Sequence, residues 1–309
     1  MDHPTLGRPV VIANHHAGAA AGDVLERFLG ALDTHGLDAD VQVTTARGDA
    51  TGLAQAAAEE GRTLVVAVGG DGTVHEIING LVDAETGQVR GQDPVLAVVS
   101  AGSGCDLVRT FGLDRPPEVI ARHVASSLTT RIDLGRVRYS GPDGDPEVRV
   151  FANVAEVGFG GAVATAARRL PARLGARRYQ LGIVAAWGRF RRQPMVIRHD
   201  GGVHEGRLCN VVVANGQFFG GGMKVAPRCL PDDGRLDVQA WGGSPTDVVR
   251  AARQLRNGSH LQRSDVRAWP SAQVDVDAPS SVMVEADGEL LGSAPASFDV
   301  LAHVLRFKV

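Results

Sequence analysis

A short glycine-rich segment, Gly69-Gly70-Asp71-Gly72-Thr73, follows an apolar run and precedes a stretch with helical periodicity. The run at residues 64–68 predicts a buried strand, and the apolar positions in residues 74–81 predict a helix with one buried face. Glycines let a backbone approach a ligand closely, and the start of a helix suits phosphate. Because Asp71 would repel a bare phosphate, the segment indicates either a nucleotide phosphate bridged by a metal or a tight turn without a ligand.

Strands and helices alternate in the first part of the chain. The predicted strands are residues 10–13, 41–45, 64–68 and 95–99. This alternation predicts an α/β domain whose parallel sheet is covered on both faces, that is, a doubly wound sheet. Ligands bind beyond the carboxyl ends of such strands, so the loops at 14–18, 69–73 and 102–105 are expected to open on one edge. Asp106 is expected to be the N-cap of the next helix.

The second half of the chain favours antiparallel strands. One predicted hairpin joins residues 131–139 and 148–153, and another joins residues 195–198 and 208–214 through the turn at 200–202. A helical pattern interrupts the strands at 246–256. Further strands are predicted at 236–241, 274–276, 282–286, 297–301 and 304–309.

These patterns predict two domains. An N-terminal α/β domain comprises residues 1–130 and about 296–309, because the final strands are expected to return to it. A β-rich, mostly antiparallel domain comprises residues 131–295.

Composition narrows the function. The net charge of −3 gives no indication of nucleic-acid binding, and the three separated cysteines favour neither a disulfide framework nor a zinc site. The first residues lack the pattern of a signal peptide, and no apolar run approaches the roughly 18 residues of a membrane span. We therefore expect a cytoplasmic protein that meets a membrane only at its surface.

The segment 157–199 is rich in arginine and contains no acidic residue. Its arginines are Arg168, Arg169, Arg173, Arg177, Arg178, Arg189, Arg191, Arg192 and Arg198. Apolar side chains lie among them, and Trp187 suits a membrane interface. Contact with anionic lipid and an ordinary solvated helix face are both open interpretations.

Several further motifs follow the glycine-rich segment in a fixed order. They are Glu76, Asn79-Gly80, Gly102-Ser103-Gly104-Cys105-Asp106, Ile132-Asp133-Leu134-Gly135, Phe151-Ala152-Asn153, Gly158-Phe159, residues 219–223, Pro227, residues 232–237 and Asp287-Gly288-Glu289. With these motifs the chain resembles the diacylglycerol kinase catalytic-domain family, in particular soluble bacterial lipid kinases, to which sphingosine and ceramide kinases are related. His15, Ser103 and Cys105 stand where that family usually has Pro, Thr and Asn.

The resemblance implies an NAD kinase/diacylglycerol kinase-like fold, with ATP bound by the N-terminal domain. The implied nucleotide-binding residues are Asn14, Thr44, Gly69, Gly70, Asp71, Gly72, Thr73, Val74, His75, Gly102, Ser103 and Asp106. For Asn14 a turn-closing role is the alternative, and for Thr44 a plain strand end.

The resemblance also implies magnesium. Asp71, Asp106 and Asp133 would reach the ion mostly through waters, which suits its preference for oxygen ligands. A second, structural magnesium would bind Asp233 with the backbone carbonyls of Leu230 and Arg235. The alternatives are an N-cap for Asp106, an ion-paired strand residue for Asp133 and an Asx turn for Asp233.

Asp287 and Glu289 are implied as the general-base pair, with Asp71 as the third catalytic residue. Two carboxylates that flank a glycine can raise one pKa toward a useful value. Without the resemblance, Asp-Gly predicts an ordinary β-turn. The sequence does not distinguish Asp287 from Glu289 as the base.

The predicted function is therefore an ATP- and Mg²⁺-dependent lipid kinase that phosphorylates diacylglycerol or a related lipid at a membrane surface. One alternative is an NAD kinase-like enzyme with a soluble acceptor. Another is a non-catalytic nucleotide- or membrane-binding regulatory module. Nucleic acid is not expected as a partner, and a homodimer is left open.

Overall fold

The structure is a computed structural model, and it describes residues 7–14, 19–101, 105–171, 177–188 and 190–309. The chain forms two compact units, one of Met1–Leu134 with Leu301–Val309 and one of Gly135–Val300. The second domain was predicted to begin at residue 131, and the chain was predicted to return to the first domain at about residue 296. In the structure these boundaries are at residues 135 and 301, which is four and five residues later.

Strands and helices alternate in the first unit. In chain order they are β1 (Val10–Asn14), α1 (Ala19–Thr34), β2 (Asp40–Thr44), α2 (Asp49–Glu59), β3 (Leu64–Gly69), α3 (Asp71–Leu81), β4 (Val95–Ser100), α4 (Asp106–Thr110) and α5 (Pro117–Ala125). Strand β5 (Thr129–Ser140) begins in this unit and ends in the second.

The second unit consists mainly of strands. It contains β6 (Pro146–Phe151), β7 (Val154–Gly158), α6 (Phe159–Arg168), α7 (Arg177–Trp187), β8 (Gln193–His199), β9 (Gly202–Leu208), β10 (Asn210–Ala214), β11 (Phe218–Phe219), β12 (Met223–Lys224), β13 (Leu236–Trp241), α8 (Pro245–Arg250), β14 (Val266–Ser271), β15 (Gln273–Asp277) and β16 (Met283–Ala286). The last strand, β17 (Glu289–Lys308), ends in the first unit.

The sheet of the first unit is parallel. Its strands lie in the order β2-β1-β3-β4, and the end of β17 pairs with β4 through Phe307 opposite Leu96. Helices α1 and α5 pack on one face, where Val66 and Val68 are buried. Val65 and Ala67 point to the other face and are also buried, and α2 and α3 pack together there. The predicted doubly wound α/β fold is confirmed.

The second unit is antiparallel along the strand order β14-β13-β10-β7-β16-β17. Strand β15 pairs with β17 and β8, β8 pairs with β9, and β5 pairs with β6. Alternating side chains of these strands form one apolar core. The prediction of a β-rich, mostly antiparallel region is confirmed.

The predicted second hairpin was wrong in its pairing. Strand β8 pairs with β9, whereas β10, which holds most of the predicted 208–214 segment, pairs with β7 and β13. All five residues of β10 are buried, as expected of a central strand, while β9 alternates between exposed and half-buried positions. The apolar run therefore marked a central strand, and the polar segment before it is the true hairpin partner.

Three smaller expectations also changed. The predicted strands 297–301 and 304–309 form one strand, β17, which bends at His303 with a φ of 50°. The predicted helix at 246–256 is α-helical only to Arg250 and continues as a 3₁₀ helix over Ala251–Arg256. Strand β14 was not predicted, because Pro270 and its exposed positions weaken the strand pattern.

Replacing Phe307 with alanine is expected to destabilise the first unit by about 3–5 kcal/mol. The Phe307 ring is fully buried, and its centroid lies 5.0 Å from that of Phe111. Thermal unfolding followed by circular dichroism would measure the loss, with Leu128→Ala as the control because Leu128 is 64% exposed. An unchanged unfolding temperature in Phe307→Ala would contradict the importance of this strand.

Candidate functional site

The parallel strands end together at one edge of the first unit. Asn14 lies opposite Thr44 in the β1–β2 pair, and Gly69 lies opposite Ser100 in the β3–β4 pair. The predicted convergence of these strand ends at one edge is thus observed. Gly102 and Ser103, which were predicted to bind nucleotide, lie outside the described residues, as does His15.

The glycine-rich segment forms a compact strand-to-helix connection. Gly70 is the N-cap of α3, and Asp71 is its first residue. Asn14 donates its Nδ2–H to Thr73 Oγ1 at 3.1 Å. A Cβ atom at Gly69 would lie 2.5 Å from the same oxygen, so only glycine fits there. A direct hydrogen bond therefore links two residues that were predicted to bind nucleotide, Asn14 at the end of β1 and Thr73 in α3.

The first turns of α3 continue the predicted set. Gly72 lies within the first turn, and Thr73, Val74 and His75 are buried. The His75 carbonyl accepts a hydrogen bond from the Asn79 side chain at 2.9 Å. His75 is therefore a helix residue, as predicted.

Asp71 also fastens the next helix to this edge. The backbone N–H of Asp106 donates to Asp71 Oδ1 at 2.6 Å, and Asp106 Oδ1 accepts from Arg109 Nη1 at 2.7 Å. The expected N-cap role of Asp106 was wrong, because Cys105 is the N-cap and Asp106 is the first helical residue. The carboxylate of Asp106 is instead paired with a side chain one turn later.

Cys105 lies among these carboxylates as a neutral group. Its side chain is fully buried, and burial together with the charges of Asp71 and Asp106 raises the pKa of the thiol far above its ordinary range. The position therefore contributes a small apolar contact rather than a charge.

Asp133 is fully buried in the first unit. Its Oδ1 accepts a hydrogen bond from the backbone N–H of His303 at 2.6 Å, and His303 Nδ1 lies 3.6 Å away. This bond attaches β5 to the bend in β17. Within the described ranges, no three His, Cys, Asp or Glu side chains lie close enough to hold a metal directly. Magnesium binding by Asp71, Asp106 and Asp133 through bridging waters stays a prediction.

The predicted structural magnesium residues lie in one loop of the second unit. Asp233 Oδ1 accepts from the backbone N–H of Arg235 at 3.0 Å, which is the Asx turn considered from the sequence. Leu230 is 53% exposed. Burial and the Asp233 charge raise the pKa of the nearby Asp237 to about 6. Carboxylate oxygens such as those of Asp233 and Asp237 are donors that suit a hard cation, and a magnesium ion at this loop stays a prediction.

The Asp287-Gly288 dipeptide is a two-residue turn between β16 and β17. Ala286 lies opposite Glu289, and Asp287 and Gly288 have φ values of 49° and 82°. The β-turn predicted as the alternative is therefore present. Because such φ values suit glycine and short polar residues, the sequence is well matched to this turn.

The Asp287 side chain does more than form the turn. Its Oδ2 accepts from the backbone N–H of Ala152 at 2.9 Å, and its Oδ1 accepts from those of Asn153 and Val154 at 2.9 and 3.2 Å. The Asp287 N–H in turn donates to the Val154 carbonyl. Asp287 thus fixes the start of β7, and the half-buried Glu289 is the next side chain after Gly288.

Family models match both parts of the chain. The diacylglycerol kinase catalytic domain matches residues 8–137, and the YegS C-terminal NAD kinase beta sandwich-like domain matches residues 153–309, more than half of the chain. The chain belongs to the diacylglycerol kinase family. Its members include proteins named diacylglycerol kinase and probable lipid kinase. The activity that these names share is the phosphorylation of a lipid.

Similar proteins extend over nearly the whole chain. A diacylglycerol kinase of Mycobacterium tuberculosis is 29% identical over 97% of this chain and 94% of its own length. A diacylglycerol kinase of Bacillus subtilis is 27% identical over 96% and 90%. A probable lipid kinase YegS-like of Pseudomonas putida is 29% identical over 97% and 95%.

Solved structures share the fold. A putative diacylglycerol kinase from Bacillus anthracis matches with a TM-score of 0.75 at 23% identity, covering 97% of this chain and 96% of its own. Yeast NADH kinase complexed with NADH matches with a TM-score of 0.53 at 12% identity, covering 97% and 82%. The predicted resemblance in fold to both kinase groups is confirmed.

Two features of this diacylglycerol kinase family member were missed from the sequence. Glu76 Oε1 and Oε2 accept from the backbone N–H groups of Gly48 and Ala50 at 2.9 and 3.2 Å, so α3 caps α2. Glu156 and Glu285 are both buried in strands and share a hydrogen bond. Each of these two glutamates lies within an apolar strand pattern, and that interruption was the available signal.

Proposed function

We propose that this protein transfers the γ-phosphate of ATP to a hydroxyl group of diacylglycerol or a related lipid. The main support is the edge of the first unit, where Asn14, Thr73 and the glycines lie beside the Asp71–Asp106 contact. Backbone N–H groups at the start of α3 suit phosphate. Phosphoryl transfer depends mainly on positioning and charge neutralisation, which such an edge can provide.

Each predicted residue has a distinct task in this proposal. Thr73 and the glycine backbone orient the phosphates, and Asp71 and Asp106 hold magnesium through waters. When bound there, magnesium would supply positive charge beside the transferred phosphoryl group. One carboxylate of this pair, that of Asp287 or that of Glu289, accepts the proton of the lipid hydroxyl, and Asp287 also fixes the turn.

A lipid-phosphorylation assay tests the proposal directly. Purified protein, labelled ATP and Mg²⁺ are incubated with mixed vesicles that contain diacylglycerol, sphingoid bases or glycolipids. A labelled phospholipid is expected from at least one acceptor. No labelled product from any of these lipids would contradict the lipid-kinase function.

The same assay separates the two alternatives. A soluble-acceptor kinase would label NAD in the absence of vesicles, and the shared fold with yeast NADH kinase is the reason to include that acceptor. A regulatory module would label neither kind of acceptor while still binding ATP, which calorimetry would detect.

We also propose that helix α7 contacts anionic membranes. Among the side chains described for this helix, the exposed large apolar ones are Leu181, Val184 and Trp187, which are 43%, 64% and 45% exposed. Trp187 is held in place by a hydrogen bond from its Nε1 to Thr246 Oγ1 at 3.1 Å. The helix begins with two arginines, and no acidic residue occurs between 157 and 199. An apolar face with flanking positive charge is typical of interfacial helices. In the described part of the chain, no helix combines the length and apolar character required to cross a membrane.

The double variant Leu181→Ser/Val184→Ser is expected to bind vesicles of anionic phospholipid about tenfold more weakly or worse. Removing two apolar side chains from a lipid contact costs about 1.5 kcal/mol or more for each fully buried side chain, and about 1.4 kcal/mol is a tenfold change. Co-sedimentation measures the binding. Val203→Ser is the matched control, because Val203 is 60% exposed on β9 of the same unit. Equal binding by both variants would exclude α7 as the contact.

A further inference from the structure

Two glutamates face each other in the interior of the second unit. Glu156 of β7 lies directly opposite Glu285 of β16 in antiparallel register. Both side chains are buried, and a hydrogen bond joins them. Like charges directly opposite each other on paired strands are destabilising. Two such carboxyl groups are compatible only when one of them carries a proton.

The surroundings place the charge on Glu156 and the proton on Glu285. Asn210 of β10 donates its Nδ2–H to Glu156 Oε1. The first turn of α6 lies against the same carboxylate, since a Cβ atom at Gly160 would be 2.2 Å from Glu156 Oε2. The positive end of a helix dipole favours an anion there. Burial and the charges of Glu156 and Asp287 raise the pKa of Glu285 well above its ordinary value.

If both glutamates were ionised, the second negative charge would have no positive side chain beside it among the described residues. In the ranges that the structure describes, neither glutamate forms an ion pair with Lys, Arg or His, and no cation perturbs either pKa. The charge of Asp287, in the same hairpin, raises the pKa of Glu285. Leu290 of β17 lies opposite Glu285 in the neighbouring strand. Cys209 lies beside Glu156, and burial and that charge raise the pKa of its thiol to about 12, so the thiol is neutral. The first turn of α6 carries no titratable side chain.

Side chains reinforce the backbone pairing of residues 155–157 in β7 with residues 284–286 in β16. One such contact is the glutamate pair. Another is Asp287, two residues after Glu285, which accepts the N–H groups of Asn153 and Val154 at the start of β7. On its other side β16 pairs irregularly with β17, because the register shifts at Val284/Glu285. A strand with an irregular pairing on one side depends more on its attachments to the other.

We propose that the Glu156–Glu285 pair is a positioning element for the Asp287-Gly288-Glu289 turn, and that it acts only while Glu285 keeps its proton. Loss of the proton would place two charges in contact inside an apolar region and weaken the β7–β16 pairing beside the turn. The consequence for catalysis rests on the proposed kinase function, whereas the consequence for the strands does not.

The sign of the pH dependence follows from the raised pKa of Glu285. The stabilisation that this group contributes is complete below the ordinary glutamate pKa of about 4.3. It is lost as the pH rises toward the native pKa of Glu285, because the folded state then binds more protons than the open state. The β7–β16 pairing should therefore weaken on the alkaline side.

Amide hydrogen exchange tests the proposal on the protein without substrate. The variant Glu285→Gln keeps an N–H donor for Glu156 but cannot ionise. In the wild type, the protection factors of the Asn153 and Val154 amides are expected to fall by up to about tenfold per pH unit as the pH rises above the ordinary glutamate pKa of about 4.3. In Glu285→Gln they are expected to stay constant. Glu205→Gln removes an exposed carboxyl group on β9 and should behave as the wild type.

The same pH dependence in the wild type and in Glu285→Gln would overturn the proposal. Should Glu285→Gln not fold, Glu156→Gln removes the charge opposite Glu285 and is expected to weaken the dependence, because burial still raises the pKa of Glu285. An unchanged dependence in Glu156→Gln would equally overturn the proposal. In the kinase assay the wild type is expected to lose activity at alkaline pH, and Glu285→Gln is expected to keep it. Because exchange requires no lipid turnover, a failure of the proposed function would leave the exchange result intact.

Discussion

Replacing Asp71 with asparagine is expected to reduce lipid phosphorylation by about a thousandfold while the protein stays folded. The asparagine Oδ1 can still accept the N–H of Asp106, which lies 2.6 Å from Asp71 Oδ1 in the structure. The attachment of α4 therefore survives, and only the negative charge proposed to hold magnesium is lost. Charge neutralisation by a metal is worth several kcal/mol in such reactions, and about 1.4 kcal/mol corresponds to a factor of ten.

Initial rates with saturating ATP, Mg²⁺ and lipid vesicles would measure this loss, together with the unfolding temperature. The control is Asp33→Asn, which removes an exposed carboxylate from α1 of the same unit. Full activity in Asp71→Asn would contradict the metal-binding role. A lowered unfolding temperature in that variant alone would assign the loss of activity to folding.

Replacing Asp287 with alanine is expected to remove both activity and stability. The substitution leaves three backbone N–H groups, those of Ala152, Asn153 and Val154, without their carboxylate acceptor. It also places alanine at a φ of 49°, where an ordinary residue is disfavoured by about 1–2 kcal/mol. Together with the lost hydrogen bonds we expect a destabilisation on the order of 3 kcal/mol or more, and thus a lowering of the unfolding temperature by about 10 °C.

Glu289→Gln is the informative partner of that variant. It preserves the size of the side chain and the turn, so we expect an unchanged unfolding temperature. Loss of a group that takes part in proton transfer should still lower the rate by about a hundredfold or more. Calorimetry and initial-rate measurements on both variants would separate the two tasks. Equal unfolding temperatures for Asp287→Ala and the wild type would show that the turn does not depend on its carboxylate.

Much of the first unit was predictable because its signals are local. The apolar run before Gly69 and the periodicity after Thr73 each occupy fewer than a dozen residues, and both became elements with nearly the predicted limits. Strand polarity then placed Asn14 and Gly69 at one edge without any knowledge of contacts, whereas Thr44 was added by the family resemblance.

The second unit was harder to predict because the local sequence of a strand does not specify which strand it pairs with. The apolar segment that became β10 was assigned the wrong neighbour, since burial on both faces looks the same for any central strand. Asp106 was expected to be the N-cap but is the first residue of its helix. Neither the acceptor of its main-chain N–H, Asp71 Oδ1, nor the Arg109 partner of its carboxylate was foreseen.

The sequence by itself determined the order of elements, the glycine-rich connection around Asp71 and the Asp287-Gly288 turn, because each depends on the conformational preferences of adjacent residues. Only the tertiary structure decided which groups the carboxylates of Asp287, Glu156 and Glu285 contact. Asp287 meets amides more than 130 residues away, and Glu156 and Glu285 become a pair only when β7 and β16 align. Such contacts depend on strand register, which is set by the packing of a whole sheet rather than by any local pattern.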